Sequence, residues 1–274
     1  MHPMLNVAII AIRKGGNFLI KQYEFLGRNY TELSSDHIKT LLSKIRAESN
    51  QIITTIIKKF YPLHIIIDIK NYSNTSTLQN NNIYWIIESI DNDINFIKQF
   101  PFFVLSITIK HHTNIKIGVI YDPIHNELFS ACRGKGAQFN GYRIRPHHHK
   151  NILQTFNKII LSIVNMNINH TFDINISNTL NNFHKKYNIT IDLRCTGSLM
   201  LDLVYAAINR IDGCYIMYYH NTIKLASSFL IIQESGGLIT YLDKNKKDND
   251  QNSKHIIVGN PKIIKFILPL IKKF

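Results

Sequence analysis

Cysteine is scarce in this chain, and acidic residues are heavily outnumbered. The three cysteines, Cys132, Cys195 and Cys214, are widely spaced and odd in number. They offer neither a disulfide framework nor a paired metal-binding motif, which fits a reducing cytoplasm. Long apolar runs are also missing. No uncharged stretch reaches the ~20 residues that a membrane span needs. The apolar run within MHPMLNVAIIAIRKGGNF is interrupted by Arg13 and Lys14, and no small-residue cleavage site follows, so no secretion signal is expected. Asp and Glu total 18 against 32 Lys and Arg, a formal net charge of +14. That field attracts nucleic acid, an anionic membrane surface or an acidic partner, but it does not specify a fold. Ile, Asn and Lys, which have AT-rich codons, are over-used, Ile at about one residue in six. Codon bias is therefore an alternative source of part of the charge.

What is present suits a globular protein. Hydrophobic residues make up 45% of 274 positions, enough for a sizeable core in one large domain or two smaller halves. Apolar residues at helical spacing predict helices from Pro3 to about Phe25 and from about Ile38 to Phe60. YPLH ends the second, and HIIID and YWIIES read as strands on either side of a polar loop, 73–82. VLSITIK, NIKIGVIYDP and NELFSACRG form a predicted meander. After a linker at 145–151, strands and helices alternate, with helices expected at Phe172 to Lys186, over SLMLDLVYAAIN, at Ile223 to Glu234 and at the basic C-terminus. This alternation implies layered α/β packing. Halves of 1–150 (α+β) and 151–274 (α/β) within a single compact unit are expected. The terminal KIIKFILPLIKKF suits docking on the core more than a place on a membrane surface. His111–His112 and His147 to His149 sit in turn-like contexts and read as solvated loop residues rather than metal ligands.

The stretch ESIDNDINF concentrates chemistry. Glu88, Asp91 and Asp93 cluster where a strand ends. Such a cluster suits either a hard cation or a hydrogen-bonded turn.

Several collinear segments resemble the inositol monophosphatase family. They are MHPMLNVA, INFIKQFPFFVLSI, IGVIYDPIHNELFSACRGKGAQFNGYRIR, RCTGSLMLDLVYAAINRIDG, ESGGLI and IVGNP. The resemblance covers nearly the whole chain. It implies a layered α/β/α/β/α sandwich, a homodimer and Mg²⁺-dependent hydrolysis of a phosphate monoester, in which cations neutralise the phosphoryl oxygens and an activated water attacks. Carried over residue by residue, the family's metal-binding Glu-Glu pair aligns with Ile69 and Lys70. Its Asp-Pro-Ile-Asp-Gly-Thr motif aligns with Glu88, Ser89, Ile90, Asp91, Asn92 and Asp93. Glu88, Asp91 and the Ile90 carbonyl are the remnant metal positions, whereas Asp93 replaces the Thr that orients water. A further ligand position aligns with Ile223, and one on the second helix with Arg46, which would repel a cation. Asp68, beside Ile69 on a strand, points to the opposite face and is a poor stand-in. Substrate-like positions are Asp91, Asn92, Asp93, Arg194, Gly197 and Ser198. The isoleucines at 69 and 223 cannot ligate, and an apolar side chain cannot compensate an ion for lost hydration.

ESIDNDINF thus reads as a former metal turn. Within the family, the resemblance is nearest to the bacterial branch associated with Nus factors. It implies a binding protein of ribosomal RNA transcription antitermination, with RNA polymerase, Nus factors and the ribosomal RNA leader as partners. The alternative is a Mg²⁺-dependent inositol-1-phosphate phosphatase with a weakened site.

Overall fold

The computed structural model describes residues 2–29, 34–72, 82–144, 157–165, 184–185, 187–219, 223–242 and 254–271. Two long helices open the chain, α1 (Pro3–Asn29) and α2 (Ser35–Phe60). α1 passes the expected end at Phe25 because Leu26 is also drawn into the core, where it is 1% exposed. α2 begins earlier than its apolar spacing suggests. Ser34 caps it by accepting the His37 N–H, which satisfies a donor left free in the first turn.

A seven-stranded sheet follows in chain order: β1 (Ile65–Asp68), β2 (Ile83–Glu88), β3 (Leu105–His111), β4 (Asn114–Asp122), β5 (Glu127–Cys132), β6 (Gly136–Phe139) and β7 (Tyr142–Arg143). Only β1 and β2 are parallel; the rest is the expected antiparallel meander. A short helix, α3 (Asp93–Ile97), fills the connection from β2 to β3. Because side chains alternate along a strand, each strand serves two layers. Leu105, Ile107 and Ile109 of β3 and Val119 of β4 pack under α1 and α2. Ile120 of β4 and Phe129 of β5 face the other way.

That second face meets α4 (Leu199–Ala207) and α5 (Ala226–Glu234). Beyond them lies a five-stranded sheet, ordered β11 (Leu238–Leu242), β12 (Lys254–Gly259), β10 (Gly213–Tyr219), β8 (Lys158–Asn165) and β9 (Thr190–Arg194). Its outer face carries α6 (Pro261–Ile271), whose Ile263, Ile264 and Ile267 bury against Tyr215 and Ile257. The C-terminal helix therefore docks on the core. The layers read α/β/α/β/α, as the fold class implied. No described helix is long and apolar enough to cross a membrane.

Three local expectations shift. α5 starts at Ala226 rather than Ile223, since residues 223–225 form a turn. Strand β1 stops at Asp68, and Ile69–Asn71 wind into a 3₁₀ turn capped by Asp68. Finally, His111 closes β3 and His112 takes the hairpin turn with a φ of 53°. The linker at 145–151, His147 to His149, most of the helix expected at Phe172 to Lys186 and all but Lys254 of DKNKKDNDQNSK, Asp243 to Lys254, which reads from sequence as a charged loop, lie outside the described residues.

Candidate functional site

Six pieces of backbone converge at the end of β2: α2, the end of β1, the turn 89–92, the start of α3, the turn before α4 and the turn before α5. Convergence begins with the acidic turn itself. Ile90 is fully buried, which anchors the turn in the core between two acidic positions. Asn92 caps α3 by accepting the Asn95 N–H at 2.9 Å, and its amide donates to the Gly197 carbonyl at 2.6 Å. Asn95 reaches the carbonyls of Phe102 at 2.6 Å and Thr196 at 2.8 Å. The glycine at 197 is required: its φ is 82°, and a Cβ would meet the Asn95 side chain at 3.0 Å.

Asp91 has both carboxylate oxygens engaged by protein donors. One accepts the Val104 N–H at 2.8 Å, and the other accepts the Ser198 hydroxyl. Ser198 and Val104 are themselves fully buried. Burial pushes the Asp91 carboxyl up to about 6, against the opposing pull of those two hydrogen bonds. Glu88 is 6% exposed. One of its oxygens lies 3.2 Å from the Lys224 ammonium, and the other has no hydrogen-bond partner. Burial pushes Glu88 up to about 7, outweighing the attraction of Lys224.

Arg46 enters from α2. Its Nη1 donates to the Ile90 carbonyl at 2.7 Å, and its Nη2 pairs with Asp93. Burial lowers the guanidinium's pKa, opposed by the charges of Glu88, Asp68 and Asp91. Lys224 comes from the opposite side, from the turn before α5, and its ammonium also approaches the Asp91 carbonyl at 3.5 Å. Asp68 lies within this electrostatic neighbourhood, because β1 ends there and the chain turns. It accepts the Asn50 amide and, at 2.8 Å, the Lys70 N–H. The strand-alternation argument against Asp68 therefore fails: the residue is a turn cap rather than a mid-strand position. Lys70 feels Arg46, Asp68, Glu88 and Lys224, although burial is the largest cause of its lowered pKa.

The structure thus gathers Arg46, Glu88, Ile90, Asp91, Asn92, Asp93, Gly197 and Ser198. Ile69 lies in the 3₁₀ turn and Ile223 in the turn before α5. Arg194 is turned elsewhere: it donates to the Leu193 carbonyl at 2.8 Å and lies 3.9 Å from Asp192 on its own strand. Sequence reasoning missed Lys224. The available signal was a basic residue directly after a ligand position that had become isoleucine.

A model of the inositol monophosphatase family matches residues 1–273. The chain belongs to the inositol monophosphatase family. It is 37% identical over 275 residues to the Nus factor SuhB of Buchnera aphidicola from Acyrthosiphon pisum, covering 100% of this chain and 98% of the relative. It is 33% identical over 268 residues to the Nus factor SuhB of Escherichia coli K12, covering 98% and 95%. Among solved structures, the extragenic suppressor protein SuhB of Bartonella henselae superposes with a TM-score of 0.70 at 26% identity, covering 99% of this chain and 100% of that one.

Members of the family are generally Mg²⁺-dependent. The residues here do not fit that ion. Mg²⁺ needs about six oxygens at about 2.1 Å in octahedral array. The Ile90 carbonyl is taken by Arg46, both Asp91 oxygens by Val104 and Ser198, and one Glu88 oxygen by Lys224. Positions 69 and 223 present hydrocarbon. Among the described residues, no group of three or more His, Cys, Asp or Glu side chains converges as metal ligands would.

The raised carboxyl pKa values give a testable pH dependence. Glu88 rises from an ordinary 4.5 to about 7 in the folded protein. Between those values the unfolded chain releases the proton while the folded chain keeps it. Stability that is fully present below pH 4.5 is therefore lost as pH rises through 7, by about 3 kcal/mol. Urea denaturation from about pH 5 to about pH 8 should show that fall, and Glu88→Gln should reduce it to the part that Asp91 contributes. A stability that rises with pH across this window would contradict the assignment.

Proposed function

We propose that this chain acts as a SuhB-type Nus factor, an accessory binding protein of the ribosomal RNA transcription antitermination complex without phosphatase activity. The observation that carries the reading is full-length kinship, at 33–38% identity, with relatives named Nus factor SuhB. The carboxylate turn adds support, since both Asp91 oxygens, one Glu88 oxygen and the Ile90 carbonyl are committed to protein donors while the layered fold is kept. Such a protein needs a folded surface rather than a reacting centre. Its partners on this reading are RNA polymerase, the Nus factors and the ribosomal RNA leader, and it works as a homodimer in the cytoplasm.

Partner binding and chemistry are tested separately. A pull-down with Nus proteins and RNA polymerase, at physiological and several-fold higher salt, should retain the protein–protein contacts. A packed interface core is screened far less than exposed charge. The +14 charge should add an RNA-binding component whose log K falls linearly with log salt. Loss of all partners at every salt would defeat the proposal. In a phosphate-release assay with inositol 1-phosphate and millimolar Mg²⁺, the protein should match a no-enzyme blank. Clear Mg²⁺-dependent turnover would favour the phosphatase reading instead.

A further inference from the structure

The acidic turn is enclosed by protein cations from two directions. Arg46 reaches it from α2, in the N-terminal layer, and places its guanidinium on the Ile90 carbonyl and Asp93. Lys224 reaches it from the turn before α5, in the central layer, and places its ammonium on Glu88 and the Asp91 carbonyl. Lys70, at the end of the β1 connection, lies in the same field. Four carboxylates, those of Asp68, Glu88, Asp91 and Asp93, thus face three cationic side chains. Buried carboxylates need compensating charge, or they lose their ionised form. In a metal-dependent relative a soluble cation supplies it. Here the cations are covalently part of the chain, and they occupy the Ile90 carbonyl, Asp93 and one Glu88 oxygen, three of the acceptors that a divalent ion would draw on.

We propose that Arg46 and Lys224 are resident counter-cations that replace divalent metal at this turn and make its folding independent of Mg²⁺. The two side chains act on different acceptors and come from different layers, so together they join α2 and the α5 turn through the acidic turn. A metal ion could enter only by displacing both, and it would then meet their positive charge. This inference concerns how the turn is neutralised and does not depend on which partners the protein binds. A chain that binds no Nus factor yet ignores metal would leave it standing.

The test is metal binding and thermal stability in the full chain. Wild-type protein should show no change in Tm with millimolar Mg²⁺ or Mn²⁺, none with EDTA, and no Tb³⁺ emission sensitised by Trp85 that Mg²⁺ competes away. Arg46→Met and Lys224→Met, which keep an unbranched apolar stem but remove the charged head, should each lower Tm by about 6 °C or more. Lys224→Arg, which keeps the cation, should stay close to wild type and equally indifferent to metal. Lys224→Met should stay indifferent to Mg²⁺, because Arg46 still holds the Ile90 carbonyl and the Asp91 oxygens remain on Val104 and Ser198. A Mg²⁺-dependent rise in the wild-type Tm would overturn the proposal, even if the methionine variants fail to fold. Unchanged Tm in both methionine variants would overturn it as well.

Discussion

Gly118→Ala is expected to destabilise the protein by about 3 kcal/mol, at the upper end of overpacking costs. Gly118 lies on β4 where α5 crosses the sheet. A Cβ there would sit 2.8 Å from Ser227 Cα and 2.9 Å from the Ser227 carbonyl oxygen. These are backbone atoms, so no rotamer change relieves the contact and the helix itself must move. Moving it also breaks the hydrogen bond between Ser227 and Thr108 and the Ser227 bond to the Ile107 carbonyl. The consequence reaches the acidic turn, because Lys224 lies one turn ahead of Ser227. Urea denaturation should show the lowered midpoint, with Tm down by roughly 6–12 °C at this chain length. An unchanged midpoint would mean that α5 does not approach β4 as closely as described.

Asp91→Ala should cost a similar amount, about 3 kcal/mol, whereas Asp91→Asn should stay within about 1 kcal/mol of the parent. Alanine leaves the Val104 N–H and the Ser198 hydroxyl without their acceptor, and each buried orphan costs about 1–3 kcal/mol. Asparagine keeps an acceptor for Val104 and offers its amide to the Ser198 oxygen. It also removes a carboxyl whose charged form burial already disfavours. Guanidinium denaturation of the two variants decides the point. Equal losses in both would show that the charge matters here and that the two hydrogen bonds do not. The comparison bears on functional tests too: an alanine at 91 confounds lost chemistry with lost folding, so asparagine is the sounder substitution in binding and phosphate-release assays.

Much of this protein is legible locally. The heptad-scale spacing of Leu, Ile and Phe gives α1 and α2, and strict alternation in LSITIK gives β3, because each rests on side-chain period alone. The loss of oxygen ligands at Ile69 and Ile223 follows from residue type, since hydrocarbon cannot coordinate an ion in any fold. The retained glycine at 197 follows from a turn that needs a positive φ. The replacement for the metal was not legible. Arg46 reads from sequence as a repulsive charge; only the tertiary structure shows its Nη1 on the Ile90 carbonyl. Asp68 reads as pointing away, yet the strand ends under it and makes it a cap. Lys224 is a basic residue beside a lost ligand position, but it stands 133 positions from Asp91 in the chain, so its contact with the acidic turn is decided by packing. Composition and period specify which faces are apolar and where backbone must turn. Which cation meets which carboxylate depends on how α2 and α5 are packed against the sheet, and long-range packing of that kind has no period in the sequence.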